Sequence, residues 1–183
     1  MSRRVIMNRR DLLRSCAAGI PLTIFGGARA PQMYWAGTPQ RIVEAMLDLA
    51  RVTAGDVVYD LGSGDGRIPI IAAQKYGARG VGIEIQSQLV RRSRQTARDG
   101  AVDDRVTFVE GDLFNADISA ATVVTLWLND RMNARLEPKL KTELKPGSRV
   151  VSHQFRIGPW VPAQTSHVDG VDLFLWVVSE HAG

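Results

Sequence analysis

One stretch restricts this chain more than any other: Val57-Val58-Tyr59-Asp60-Leu61-Gly62-Ser63-Gly64-Asp65-Gly66-Arg67. Three glycines at alternate positions let a backbone turn sharply and approach a ligand with no Cβ in the way. An apolar strand precedes the turn and a helix-forming run follows it, the arrangement of an α/β sheet with a binding loop at its edge. The spacing is G-x-G-x-G. It departs from the G-x-G-x-x-G of dinucleotide sites because position 67 is Arg.

Periodicity supplies the rest of the architecture. Thr38 is placed to cap a helix with Pro39 at its first position, and Ile42, Val43, Met46, Leu47 and Ala50 recur at helical spacing. Strands are expected at Val57–Tyr59, Gly80–Ile85, Arg105–Glu110, Thr122–Leu128 and Arg149–Gln154, with a last one at Val171–Val178. Helices are expected from Ile68 to Lys75, Gln86 to Arg98 and Arg131 to Leu144. Strands alternating with helices imply a mainly parallel, Rossmann-like sheet with right-handed crossovers and helices on both faces. In such sheets ligands sit beyond the carboxyl ends of the strands, near the point where strand order reverses.

Three acids end three successive strands at that rim: Asp60, Glu84 and Asp112. Asp60 is unsuited to a pyrophosphate but suits a ligand carrying an amine and a sulfonium. Glu84, 18 residues after Gly66, is placed to accept both hydroxyls of a ribose. Asp112 can accept from an adenine amino group, with Ile85 and Leu113 against the ring.

On these residues the chain resembles the class I S-adenosylmethionine-dependent methyltransferases over about residues 36–178. Asp60-Leu61-Gly62-Ser63-Gly64-Asp65-Gly66 is similar to their first motif, Glu84 to their ribose acid and Asp112 to the acid near adenine. A closer resemblance is to the small lysine N-methyltransferases acting on the ATP-synthase c subunit and the adenine nucleotide translocase. It rests on Thr38-Pro39, Asp60–Ile68, Gly111-Asp112-Leu113, the Pro138–Leu144 stretch, Arg149-Val150-Val151-Ser152 and Trp160. The resemblance implies a seven-stranded sheet with the last strand antiparallel, S-adenosyl-L-methionine as cofactor, and Asp60, Leu61, Gly62, Gly64, Gly66, Glu84, Ile85, Asp112 and Leu113 as its contacts. It also implies methyl transfer to a protein lysine. A small-molecule acceptor, or cofactor binding without transfer, are the alternatives.

Such an enzyme aligns a nucleophile with an already activated methyl group and excludes water. A lysine acceptor, near pKa 10.4 in water, must first lose a proton. Asp130 and His153, after the fourth and fifth strands, are the candidates to assist; a helix cap and a packed strand end are their ordinary roles. Trp127 is placed to line the transfer pocket or the core, and Tyr34 and Trp35 to close over the site or pack as an arm. Arg91, Arg92, Arg94 and Arg98 read as a solvated helix face. Positions 129–132 read Asn-Asp-Arg-Met, unlike the Asn/Asp-Pro-Pro-aromatic sequence of base amino-methylating enzymes.

Charge and cysteine content narrow the partners. The net charge is +4 over 183 residues, but residues 1–30 hold six Arg against one Asp, so the remainder sums to −1 and gives no electrostatic argument for nucleic acid. One Cys and three scattered His leave no metal site in prospect. Residues 1–30 pair Arg9-Arg10 with an uncharged run to Ala28 and an Ala28-Arg29-Ala30 end, the marks of a twin-arginine-like export leader or membrane tether. Pro31 after the cleavage point and an alternative start at Met33 keep a cytoplasmic protein open. The expected domain is 31–183, as a monomer.

Overall fold

The computed structural model describes residues 37–180. The leader at 1–30, Tyr34 and Trp35 lie outside the described residues. The chain runs through α1 (Gln40–Leu49), β1 (Val57–Leu61), α2 (Arg67–Tyr76), β2 (Arg79–Glu84), α3 (Ser87–Asp99), β3 (Val106–Glu110) and β4 (Val123–Leu126). It continues with α4 (Asp130–Glu143), β5 (Arg149–His153), β6 (Gln164–Val168) and β7 (Val171–Val177). These seven strands form one sheet in the order β3-β2-β1-β4-β5-β7-β6. β1 to β5 pair in parallel, and β7 runs antiparallel to both β5 and β6.

The order reverses between β1 and β4. After β1 the chain builds outward through β2 and β3, then returns to place β4 on the other side. The crevice at this reversal is where the sheet can receive a ligand. Register fixes which side chains face it: Asp60 pairs with Thr125, and Thr125 with Val151. Side chains alternate across a strand, so Asp60, Thr125, Trp127, Val151 and His153 share one face.

That face packs on α1 and α2. Val58, Val123, Val151 and Leu173 meet Ile42, Val43, Met46, Leu47, Ile68 and Ala72. The opposite face, with Leu61, Leu126, Val150 and Trp176, packs on Leu136 and Leu140 of α4. β4 is buried along its whole length, as its unbroken apolar run requires of a central parallel strand.

Two expectations need correction. Thr38 does not cap α1: Pro39 occupies that position with no side-chain hydrogen bond, and the helix begins at Gln40. Asp130 does not cap α4 either. Asn129 does, its Oδ1 accepting from Met132 N at 2.9 Å, and Asp130 is the first helical residue. β6 completes the seven-stranded sheet that the resemblance implied, although periodicity did not place it. Its pattern is polar and largely exposed (Gln164, Thr165 and His167 open to solvent); its one strand partner is β7 at the sheet's edge, and Val168 packs against the core beside α1.

Candidate functional site

The glycine turn is built as the sequence demands. Gly62, Gly64 and Gly66 have φ of 86°, 55° and 78°, the left-handed region costly to residues with a Cβ. Gly62 N and Ser63 N both donate to Ile83 O at 2.9 Å, and Gly66 N to Ser63 O at 2.8 Å, which closes the loop. At Gly66 there is no room as well: an added Cβ would lie 2.5 Å from Phe108. The turn therefore sits hard against β3 and α3, with Ser93 Oγ donating to Gly64 O at 3.2 Å.

Beside it opens a small cleft lined by Thr38, Asp60, Gly62, Ser63, Asp65, Arg67, Ile68 and Trp127. Asp60 is buried, and its Oδ1 accepts from Thr125 Oγ1 at 2.7 Å. Burial pushes its carboxyl up to about 7; the Thr125 hydrogen bond opposes this and the charges of Asp65 and Glu84 add to it. Ser63 Oγ is buried with no partner. Arg67 crosses the cleft mouth: Nε and Nη2 donate to the two oxygens of Asp65 at 2.9 and 2.7 Å, and Nη1 to Thr38 O at 2.6 Å. Thr38, just before α1, is thus tied to the first residue of α2.

Glu84 does not line the cleft but grips the turn. Its Oε2 accepts from Gly64 N at 3.0 Å and its Oε1 from Gln86 N at 2.9 Å. A carboxylate offers about four lone pairs, so each oxygen keeps one for a further donor. Ile85 stands 65% exposed at the adjoining strand end. Asp112 accepts from Phe114 N at 2.9 Å and from Asn115 Nδ2 at 3.2 Å. Leu113 comes within 3.8 Å of where a Cβ on Gly62 would be. The structure therefore places Asp60, Gly62 and Trp127 in the cleft and Glu84, Ile85, Asp112 and Leu113 on the rim beside it.

Of the two proton-handling candidates, Asp130 is exposed and does not line the cleft. His153 does not line the cleft either but is buried behind Trp127, which does, ring centroids 4.8 Å apart and edge-on at 60°. Neither ring nitrogen has a hydrogen-bond partner, and burial lowers its pKa. Asn133 is a residue the sequence reading missed. Buried on α4, it donates from Nδ2 to Ser152 Oγ at 3.1 Å and to Phe155 O at 3.3 Å. A signal existed: 133, 136 and 140 fall on one helical stripe, and a polar residue in a stripe otherwise held by Leu136 and Leu140 has a reason to be there. The arginine face of α3 is exposed as expected, with Arg94 donating to Phe108 O and Arg98 to Gln95 Oε1. Among the described residues no group of three or more His, Cys, Asp or Glu is arranged to hold a metal ion, and no helix is long and apolar enough to cross a membrane.

The family model for the ANTKMT methyltransferase domain matches residues 60–164, from the first acid of the glycine turn to the start of β6. The chain belongs to this methyltransferase family. A protein-lysine N-methyltransferase of Saccharolobus islandicus is 42% identical over 156 residues, 82% of this chain and 97% of that one. The ATP synthase c-subunit lysine N-methyltransferase of Xenopus laevis is 38% identical over 71% of this chain, which spans only 56% of that longer protein. Among solved structures, an RNA methyltransferase from Salinibacter ruber crystallised with S-adenosyl-L-homocysteine superposes with a TM-score of 0.79 at 50% identity, covering 81% of this chain and 97% of that one. The methyltransferase described here is therefore an enzyme of the fold and class that the glycine turn implied.

Proposed function

We propose that this methyltransferase moves a methyl group from S-adenosyl-L-methionine to a lysine amine of a protein. Support for the acceptor comes chiefly from the 42% identity to a protein-lysine N-methyltransferase along nearly that protein's whole length. Support for the donor comes from the family match and from S-adenosyl-L-homocysteine in the crystal of the 50%-identical relative.

The residues present fit the donor. Asp60 is a buried carboxyl group with one hydrogen-bond donor beside it and a pKa pushed up to about 7, a poor arrangement for the ionised form until a cation is brought near. Ser63 Oγ is buried without a partner in the same cleft. Asp60, Gly62, Gly64 and Gly66 are assigned to its methionine and ribose side, with Leu61 offering backbone alone because its side chain is in the core on the α4 side of the sheet. Glu84 is assigned to the ribose hydroxyls through its two remaining lone pairs, Ile85 and Leu113 to the faces of the base, and Asp112 to the base amino group. When bound, the donor supplies a methyl group already activated by a positive sulfur.

The protein's own part is then alignment and dehydration. Arg67 holds the segment at Thr38 across the mouth, and Trp127 walls the side facing β5. Water exclusion there lowers the pKa of an incoming lysine, since burial disfavours the charged ammonium, and a neutral amine is the nucleophile.

The Salinibacter relative is named an RNA methyltransferase, which makes RNA a second reading. The one cation of the cleft lining, Arg67, is already paired with Asp65, so the lining offers a polyphosphate no unpaired basic group, which favours the protein reading. Incubating the full chain with methyl-labelled donor, a protein extract and an RNA extract separates the two. Label released as methyl-lysine after acid hydrolysis supports the proposal, and label in nucleosides overturns it. Export or membrane tethering through residues 1–30 is a separate proposal, tested by N-terminal sequencing of the native protein.

A further inference from the structure

β5 ends in an arrangement that the fold holds at a cost. Phe155 N donates back to His153 O at 2.8 Å, closing a three-residue turn with Gln154 at φ 70°. A non-glycine residue there is strained, and such strain collects at functional sites. Asn133 braces the turn from the other face of the sheet, bonding Ser152 before it and Phe155 after it. What this machinery fixes is one side chain, His153. It is 4% exposed, lies against Trp127 and leaves both ring nitrogens without a partner. A buried polar atom left unpaired costs about 1–3 kcal/mol and calls for an explanation.

Register says where the ring stands. Leu126 pairs with Ser152, so Trp127 and His153 are the next neighbours along the two strands and share the face of Asp60 and Thr125. Moving across the sheet from the glycine turn, one meets Asp60 on β1, then Trp127 at the end of β4, then His153 at the end of β5. The donor side of the cleft is occupied by the turn. The next position along the row, behind the indole that walls the cleft, is His153.

We propose that His153 orients the acceptor, one imidazole nitrogen accepting a hydrogen bond from the incoming amine at the Trp127 wall so that its lone pair faces the cleft. The assignment rests on the amine-methylation reading above. A neutral ring suits the role, because an imidazolium would repel a protonated amine, and burial holds His153 toward its neutral form. The accepting nitrogen, orphaned in the free protein, acquires its partner when the acceptor arrives. Asn133 is then a positioning residue, acting through the turn.

The test uses 15N-histidine-labelled full chain saturated with S-adenosyl-L-homocysteine, titrated with n-butylamine as the lysine side-chain probe and n-butanol as control. The His153 ring signals are assigned by their loss in His153→Gln. A saturable shift of those signals with the amine and not the alcohol supports the proposal; equal shifts or none overturn it. In parallel, His153→Ala is expected to lose about tenfold in kcat/KM for a lysine peptide, the size of one neutral hydrogen bond. His153→Gln, which still offers an acceptor oxygen, recovers part of that loss. Affinity for S-adenosyl-L-homocysteine is expected to stay within about twofold in both, as for a side chain that acts on the acceptor alone. An unchanged kcat/KM in His153→Ala would overturn the assignment. Should the native enzyme methylate no lysine while its ring still answers to butylamine, the functional reading falls and the amine subsite stands.

Discussion

Replacing Asp60 with Asn separates folding from binding. In the free protein the Asp60 carboxyl is raised from 3.8 to about 7, mainly by burial, so the fold favours its protonated form. Its favourable contribution is fully present below the unfolded pKa of about 4 and is lost as pH rises through 7. Ionised, the group costs the folded state on the order of 4 kcal/mol. Asn keeps an oxygen to accept from Thr125 Oγ1, but brings an amide NH2 whose burial offsets about 1–3 kcal/mol of the relief. That offset does not depend on pH, whereas the relief does. Between about pH 5 and pH 8 the stability gap between Asp60→Asn and the native chain is expected to widen by about 2–3 kcal/mol in the variant's favour. In thermal melts this is roughly 5–10 °C for a domain of this size. The same variant is expected to lose most of the stabilisation that S-adenosyl-L-methionine gives the native chain, because the carboxylate that meets its positive charge is gone. A gap that stays constant with pH would refute the burial argument. A variant that binds the cofactor undiminished would refute the assignment of Asp60 to it.

Other positions give sharper yes-or-no outcomes. Gly66→Val must place side-chain atoms where a Cβ already lies 2.5 Å from Phe108, at φ 78°; it is expected to cost several kcal/mol and to abolish cofactor binding in calorimetry. Asn129→Ala removes the cap of α4 and is expected to destabilise by about 0.5–2 kcal/mol in urea unfolding, and Asp130→Ala by less than half as much. Arg67→Ala cuts the bond to Thr38 O and is expected to speed amide hydrogen exchange around residues 38–42 while leaving exchange in β4 unchanged. Leu140→Ala, at a fully buried position against the sheet, is expected to cost about 2–5 kcal/mol with cofactor affinity retained.

What could be read from the residues alone divides along physical lines. The turn from Asp60 to Gly66, the buried run of β4 and the alternation of strand and helix were legible because each is a local pattern with one structural solution. β6 was not, since Gln164–Val168 has no apolar alternation and only Val168 reaches the core, so its conformation depends on pairing with β7. The cap of α4 was misplaced by one residue for a similar reason: Asn129 and Asp130 are equally good caps on paper, and backbone geometry chooses between them. At the site, Asp60, Gly62 and Trp127 could be placed from strand order, whereas the hold of Glu84 on Gly64 N and the brace of Asn133 on the turn after β5 link residues 20 and 22 positions apart. Those depend on three-dimensional closeness that no spacing rule expresses.

All the site assignments require the crevice between β1 and β4 to receive the methyl donor. A crystal structure of the full chain with S-adenosyl-L-homocysteine tests this most directly. The ligand is expected on the Gly62–Gly66 turn, its amine within hydrogen-bond reach of Asp60, its ribose on Glu84 and its sulfur toward Trp127. A ligand seated elsewhere, or an empty crevice at saturating concentration, would contradict the assignment.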